Sequence, residues 1–424
     1  MGTTLVVVVA TFLLTTLGWL LLLNLTLGNK PMDDRIETEY SVADPQFLRA
    51  MGSLLGPPIV NGNRAQALLN GDEIFPAMLD AIRDAQHTIT FETYIYWSGT
   101  IGQEFADALI ERARAGVHVH VMLDWFGSGS IEDLHLKTMQ AAGIAVRRYN
   151  PPRVPALGRM NNRTHRKLLV VDGRIGFTGG VGIADGWRGH AQDPQHWRDT
   201  HFRVEGPVVA QMQAAFLDNW IAVVGHVLHG PAYFPSIEPK GSHTAQVFTS
   251  APGGGAESVQ FMYLLSIAAA KSTVRASMAY FVPDNVAIKT FLAARKRGVR
   301  VQMIVPGPHT DRELVQRASR FEWGPLLRAG VEIHEYQPTM YHCKVMIVDE
   351  LWTSVGSTNF DSRSFSVNDE ANLNIHDAGF ARGQVETFER DLQKSRRVTL
   401  AEWENRPWSD KLLDALAGLL SSQL

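Results

Sequence analysis

The chain has 424 residues, 45% hydrophobic and 20% charged, with 40 Lys and Arg against 43 Asp and Glu and a formal net charge of −3. This composition excludes a disordered chain, and the length exceeds what a single core usually fills. A slightly acidic balance argues against extended nucleic-acid binding, which draws on a broad basic surface, and a single cysteine, Cys343, excludes an intramolecular disulfide.

No charged residue occurs from Thr3 to Asn29, and Leu, Val and Thr dominate the 23 positions Leu5 to Leu27. That length spans a bilayer. With no basic residue before the run and no small-x-small site after it, a retained transmembrane anchor over 4–28 is expected rather than a cleaved signal. Lys30, Arg35 and Arg49 all follow the anchor, so the body is expected on the cytoplasmic side. Residues 29–60 read as a linker.

A first α/β lobe is expected over 61–229. Ile89 to Ile95 is a β-rich run, a helical stretch through Phe105, Leu109 and Ala113 ends at Gly116, and Val117, Val119 and Val121 then alternate with His118 and His120. Gly143 introduces Ile144 to Val146. The linker between the halves is placed at 230–243, marked by Gly230, Pro231, Pro235 and Pro239. The second lobe, 244–400, repeats the order: Val274 to Phe281, a helical stretch through Phe291 and Ala294, Gly298 before Val299 to Met303, and Gly330 before Val331 to Ile333. Two pseudo-symmetric α/β/α sandwich lobes are therefore expected. In the tail, 401–424, Leu412, Leu413, Leu416, Leu419 and Leu420 share one helical face after Trp403 and Trp408. Packing against the core is the default for such a face, and an interfacial helix is the alternative.

The repeat also carries chemistry. His165-x-Lys167 with Asp172 recurs as His342-x-Lys344 with Asp349, and a small pair follows fourteen residues after each histidine, Gly179-Gly180 and Gly356-Ser357. A phosphodiester repels nucleophiles with its own charge, so its cleavage calls for a non-oxygen nucleophile, cations for the charge and an acid for the leaving alkoxide. Two His and two Lys supply that set: one His attacks phosphorus, the other protonates the departing alcohol, and Lys167 and Lys344 hold the phosphoryl oxygens. Each imidazole needs an acceptor on its other nitrogen. Downstream carboxylates are available as Asp199 in the first half and Glu370 in the second. Asp172 and Asp349 complete the motif and are counted among its catalytic candidates, although their place after the apolar strands Leu168–Val171 and Val345–Val348 favours capping a turn. Gly180, Ser357, Asn359 and Arg363 are candidate phosphate contacts. Cys343, the middle residue of the second motif, reads as a packed strand residue.

The doubled HxKxxxxD followed by GG or GS resembles the phospholipase D superfamily. The stretches NNRTHRKLLVVDGRIGFTGG, HWRDTHFRVEGPVV, YHCKVMIVDELWTSVGSTNFDSRSF and EWENRPWSDKLL are similar to its bacterial cardiolipin synthase branch, over nearly everything from about Asn70 onward. The resemblance implies phosphatidyl transfer through a phosphohistidine without metal or cofactor, typically two phosphatidylglycerol giving cardiolipin and glycerol, at a bacterial inner membrane. It also implies that Asp199 and Glu370 support the two histidines and that His165 is the nucleophile. Two features depart from the branch: Gly182 stands where Asn is usual, and one membrane span is found where many members have two. Phospholipid substrates and a membrane are the expected partners, with the basic interval Arg147 to Arg174 as a collar toward anionic lipid. The alternatives are a hydrolytic phospholipase D or nuclease using the same histidine pair, and a lipid-binding scaffold without activity.

Overall fold

The computed structural model describes residues 2–26, 34–152, 161–251 and 257–423. Among the described residues sixteen strands form one sheet. In the first half they are β1 (Val60–Leu69), β2 (Thr88–Thr93), β3 (His118–Asp124), β4 (Ala145–Tyr149), β5 (Arg163–Thr164), β6 (Leu168–Val171), β7 (Ile175–Gly179) and β8 (Thr200–Glu205). In the second they are β9 (His243–Ser250), β10 (Thr273–Met278), β11 (Arg300–Pro306), β12 (Glu332–Tyr336), β13 (Lys344–Val348), β14 (Trp352–Gly356), β15 (Asn368–His376) and β16 (Ser395–Val398).

The strand order is β16-β12-β11-β10-β13-β14-β15-β9-β1-β8-β7-β6-β2-β3-β4. Away from the central β1–β9 pair the halves mirror each other, apart from the extra edge strand β16. In each half three parallel strands, β2-β3-β4 or β10-β11-β12, continue into antiparallel ones. Antiparallel pairing of β1 with β9 and of β9 with β15 runs one sheet through both halves.

The strands are hydrophobic on both faces because helices cover both. In the second half Met303, Val305 and Ile333 pack under the helices Glu257–Ala269, Asn285–Lys296 and Glu313–Arg328, while Ile304, Val345 and Ile347 face the helix Ala378–Leu392. The stretch 29–60, read as a linker, contains the helix Pro45–Leu55, started by Asp44, whose side chain accepts from Gln46 N. Phe47 and Met51 of that helix join the second core.

The segment expected to be an anchor falls on the helix Gly2–Thr26 and runs past it into residues outside those described. Among the described residues no helix is long and apolar enough to cross a membrane. The tail departs from its default. The helix Trp408–Gly418 buries Asp414 and Ala417, whereas Leu412, Leu413, Leu416, Leu419 and Leu420 are all exposed.

Candidate active site

Because β6 runs antiparallel to β2, the start of β6 lies beside the end of β2, with Glu92 opposite Leu168. β13 and β10 repeat this, with Met278 opposite Lys344. Each His-x-Lys segment is thereby held at the carboxyl ends of the parallel strands, where open α/β sheets form their crevices.

Each histidine segment also pairs with the other half. β5 pairs in parallel with Asn368–Asp369, and His165 N donates to Asp369 O at 2.9 Å. Arg198 bridges Tyr341, and His342 N donates to Arg198 O at 2.8 Å. The carboxylates are consequently crossed. Glu370, from the second half, takes His165 Nδ1 on both oxygens at 2.9 and 3.0 Å. Asp199, from the first half, takes His342 Nδ1 at 2.7 Å. Each half's acid therefore serves the other half's histidine and not its own, because the backbone pairing brings each histidine to the residue just before the other half's acid.

A carboxylate only accepts, so each Nδ1 donates and each Nε2 is left for chemistry. Burial pushes His165 down to about 4, against Glu370, which raises it, and with Lys167, which lowers it further. Burial likewise lowers His342, helped by Lys344 and opposed by Asp199. Burial alone would raise Glu370 and Asp199, but the facing histidine and the lysines outweigh it and hold both below the usual carboxylate range. The resting arrangement is two neutral imidazoles against two carboxylate anions.

The lysines fold back on their own histidines: Lys167 Nζ donates to His165 O and Lys344 Nζ to His342 O, both at 2.7 Å. Burial and the like charge of Lys344 push Lys167 down to about 7, with Glu370 opposing; burial lowers Lys344 as well.

Both histidines line one cleft of about 420 Å³, together with Lys167, Asn359 and Arg363. Lys344 sits behind His342, with Nζ 3.1 and 3.2 Å from its ring nitrogens. Arg363 donates to the side-chain and main-chain oxygens of Asn161 at 2.9 and 3.0 Å. Asn359 Oδ1 is buried with no hydrogen-bond partner among the described residues.

Other sequence-based candidates lie elsewhere. Ser357 is fully buried, and its hydroxyl donates to Glu370 Oε2 at 2.5 Å, so it holds the carboxylate rather than facing the cleft. Gly180 occupies the matching position; a Cβ there would collide with the Asp199 carboxylate. Asp172 and Asp349, placed with the catalytic residues by the motif, lie at the far end of β6 and β13, about 16 Å of extended chain from the lysines. Asp172 accepts from the backbone of Gln86, His87 and Thr88 at 2.7–2.9 Å, and Asp349 from that of Lys271, Ser272 and Thr273 at 2.8–2.9 Å. They tie the ends of β6 and β13 to the starts of β2 and β10, in backbone conformations with φ of +52° and +51°. Gly182 stands in the place of Asn359 because a Cβ there would lie 2.8 Å from Ile95 Cβ and 3.3 Å from Trp187.

Of the expected arginine collar, Arg166 is fully buried and donates to Ala215 O and Asp218 at 2.7 and 2.9 Å, while Arg153 and Arg159 lie outside the described residues. Cys343 is buried against Thr200, and burial pushes its thiol up to about 12.

Aromatic cleft residues had no motif to mark them. Tyr94 packs edge-on to His165 at 5.1 Å, Trp187 and Trp197 flank His342 at 5.3 and 5.4 Å, and the Tyr280 hydroxyl donates to Asp311. Trp197 could have been found from its place two residues before Asp199; Tyr280 and Asp311 have no such cue.

The family described as "Cardiolipin synthase, PLD-like domain" matches residues 78–216 and 263–392. The chain is 33% identical over 370 residues to the cardiolipin synthase of Geobacillus thermodenitrificans, covering 87% of this chain and 74% of that one. It is 33% identical over 362 residues to the major cardiolipin synthase of Bacillus subtilis, covering 85% and 75%. Among solved structures, phosphatidylserine synthase from Haemophilus influenzae has the same fold, with a TM-score of 0.68 at 14% identity over 90% of this chain and all of that one. Polyphosphate kinase from Porphyromonas gingivalis shares the architecture more loosely, with a TM-score of 0.52 at 11% identity over 88% of this chain and 53% of that one. With two matched segments that each contain one histidine of the shared cleft, the chain belongs to the phospholipase D-like family of cardiolipin synthases.

Proposed function

We propose that this protein transfers a phosphatidyl group from one phosphatidylglycerol to the hydroxyl of a second, releasing glycerol, at a bacterial inner membrane. The carrying observation is the crossed geometry: two imidazoles on one cleft, each turned by a carboxylate of the opposite half so that Nε2 is the reactive nitrogen.

His165 Nε2 gives its lone pair to phosphorus, and the bond from phosphorus to the glycerol oxygen breaks. His342, in its protonated form, passes a proton to that oxygen. The acceptor lipid's hydroxyl then gives its proton back to His342 as its oxygen attacks phosphorus, and the phosphorus–nitrogen bond breaks to restore His165. Before an anion enters, burial and Lys344 disfavour the protonated His342; a phosphodiester's negative charge reverses that balance. Lys167, Asn359 and Arg363 supply cation and amide to the phosphoryl oxygens.

The N-terminal helix is read as a single-pass anchor. Val6 to Val9, Phe12, Leu13, Leu14 and Leu17 are exposed around its circumference, which suits lipid and not water. Lys30 and Arg35 after it favour a catalytic body on the cytoplasmic side.

The test is incubation of the purified full chain with headgroup-labelled phosphatidylglycerol, with products separated by mass spectrometry. Cardiolipin and free glycerol in equal amounts are expected. Phosphatidic acid as the sole lipid product overturns transfer in favour of hydrolysis.

A further inference from the structure

We propose that the leucine face of the C-terminal helix and the apolar rim of the cleft together form a docking surface for an anionic lipid bilayer, seating the cleft mouth on the headgroup layer. The proposal rests on the phosphatidyltransferase reading and adds where and how the enzyme meets its substrate.

The helix Trp408–Gly418 is mounted in reverse. A surface helix ordinarily turns its leucine stripe inward; this one buries Asp414 and Ala417 and leaves Leu412, Leu416 and Leu419 exposed by 50%, 53% and 79%, with Trp408 at 77%. Its rotation is held by an ion pair. Arg406 Nε donates to Asp414 Oδ2 at 3.0 Å, and Arg317, from the helix Glu313–Arg328, lies 3.7 Å from Asp414 Oδ1 and 3.6 Å from Asp410. Gly418 lies so close to Phe321 that a Cβ would stand 2.6 Å from its ring. Turning the leucines inward would strand Asp414 and drive side chains into that ring.

The chain leads from this helix to the cleft. Past the helix the chain reaches Gln423, which lines the cleft beside Leu314, itself 46% exposed. On the other half's side of the rim, Phe126 is 57% exposed, with the Arg163 guanidinium 5.3 Å over its ring. Arg163 and Arg312 also line the cleft. Leucines, an outlying tryptophan and arginines around a mouth are the composition of an interfacial element. A protein bound across this face would cover the opening through which a lipid must pass, whereas a bilayer delivers the lipid through it.

The experiment uses the full chain in vesicles of phosphatidylglycerol and phosphatidylethanolamine. Cys343 is buried, so Leu416→Cys takes an environment-sensitive fluorophore selectively, with Glu386→Cys, on the helix covering the opposite face of the sheet, as control. The label at 416 should be quenched by lipids carrying nitroxides on their acyl chains, and the label at 386 should not. In parallel, the combined variant Leu412→Ser, Leu416→Ser, Leu419→Ser should turn over vesicle substrate about tenfold more slowly while staying within about twofold of the parent in detergent micelles. An unquenched label at 416 overturns the proposal, as does a label that is shielded only with rising protein concentration, which assigns the face to a second copy. Equal loss in vesicles and micelles also overturns it. Absence of cardiolipin from the parent in both media would instead count against the proposed reaction, leaving the quenching result to be judged alone.

Discussion

Replacing Glu370 by Gln removes a charge and almost nothing else. The amide oxygen can still accept from His165 Nδ1, and the amide nitrogen can turn toward the Ser357 hydroxyl, which now holds Glu370 Oε2 at 2.5 Å. What disappears is an anion whose oxygens lie 2.9 and 3.0 Å from Nδ1. That anion matters when the ring becomes positive, as it does once Nε2 bonds to phosphorus while Nδ1 keeps its proton. For charge centres about 4 Å apart at an effective dielectric of about 20, the interaction is worth about 4 kcal/mol. The loss should therefore be about three decades in kcat, with little change in KM. Asp199→Asn should act equally on the other ring. Selective nitrogen-15 labelling of histidine distinguishes the crossed pairing from pairing within a half: Glu370→Gln should shift the Nδ1–H signal of His165, and Asp199→Asn that of His342. Activity of Glu370→Gln within tenfold of the parent, or a response of His342 in its place, would refute the reasoning.

The dependence of kcat/KM on pH should fall on both sides of an optimum between about 4 and about 7. On the acid side His165 gains the proton that blocks its nucleophilic nitrogen; on the alkaline side Lys167 loses its charge, so Lys167→Arg should move the alkaline limb upward. Glu92 is buried, and desolvation raises its carboxyl from 4.5 to about 7. Its contribution to stability is thus fully present below 4.5 and lost as pH rises through about 7, and Glu92→Gln should gain about 3 kcal/mol relative to the parent between pH 4.5 and pH 8 in denaturant titrations. Asp172→Ala strips acceptors from three backbone amides and should cost about 2–4 kcal/mol in chemical denaturation, while kcat of the folded enzyme stays within about twofold. Gly180→Ala should displace the Asp199 carboxylate and cut kcat about a hundredfold with a milder effect on KM, as steady-state kinetics will show.

Sequence alone established the repeated chemistry. The spacing of His165, Lys167 and Asp172, and its recurrence at His342, Lys344 and Asp349, follows from local strand and turn geometry that any copy of the unit must repeat. The strands and helices before each motif were legible for the same reason, since their periodicity and their glycine stops act within a few residues. The two supporting acids could be found as well, but their partners could not: which ring an acid turns to depends on backbone pairing that joins residues 205 positions apart in one case and 143 in the other. The same holds for Ser357, whose hydroxyl was expected on phosphate and goes to Glu370, and for Asp172, whose acceptors are used by the start of β2. Tyr94, Trp187 and Tyr280 came into view only with the cleft. The tail shows the limit most clearly. Its leucine periodicity was plain, but whether that face turns inward or outward was decided by one buried carboxylate, Asp414, and the arginines that reach it. Local periodicity describes what a helix offers; only the surfaces packed around it decide which side is taken.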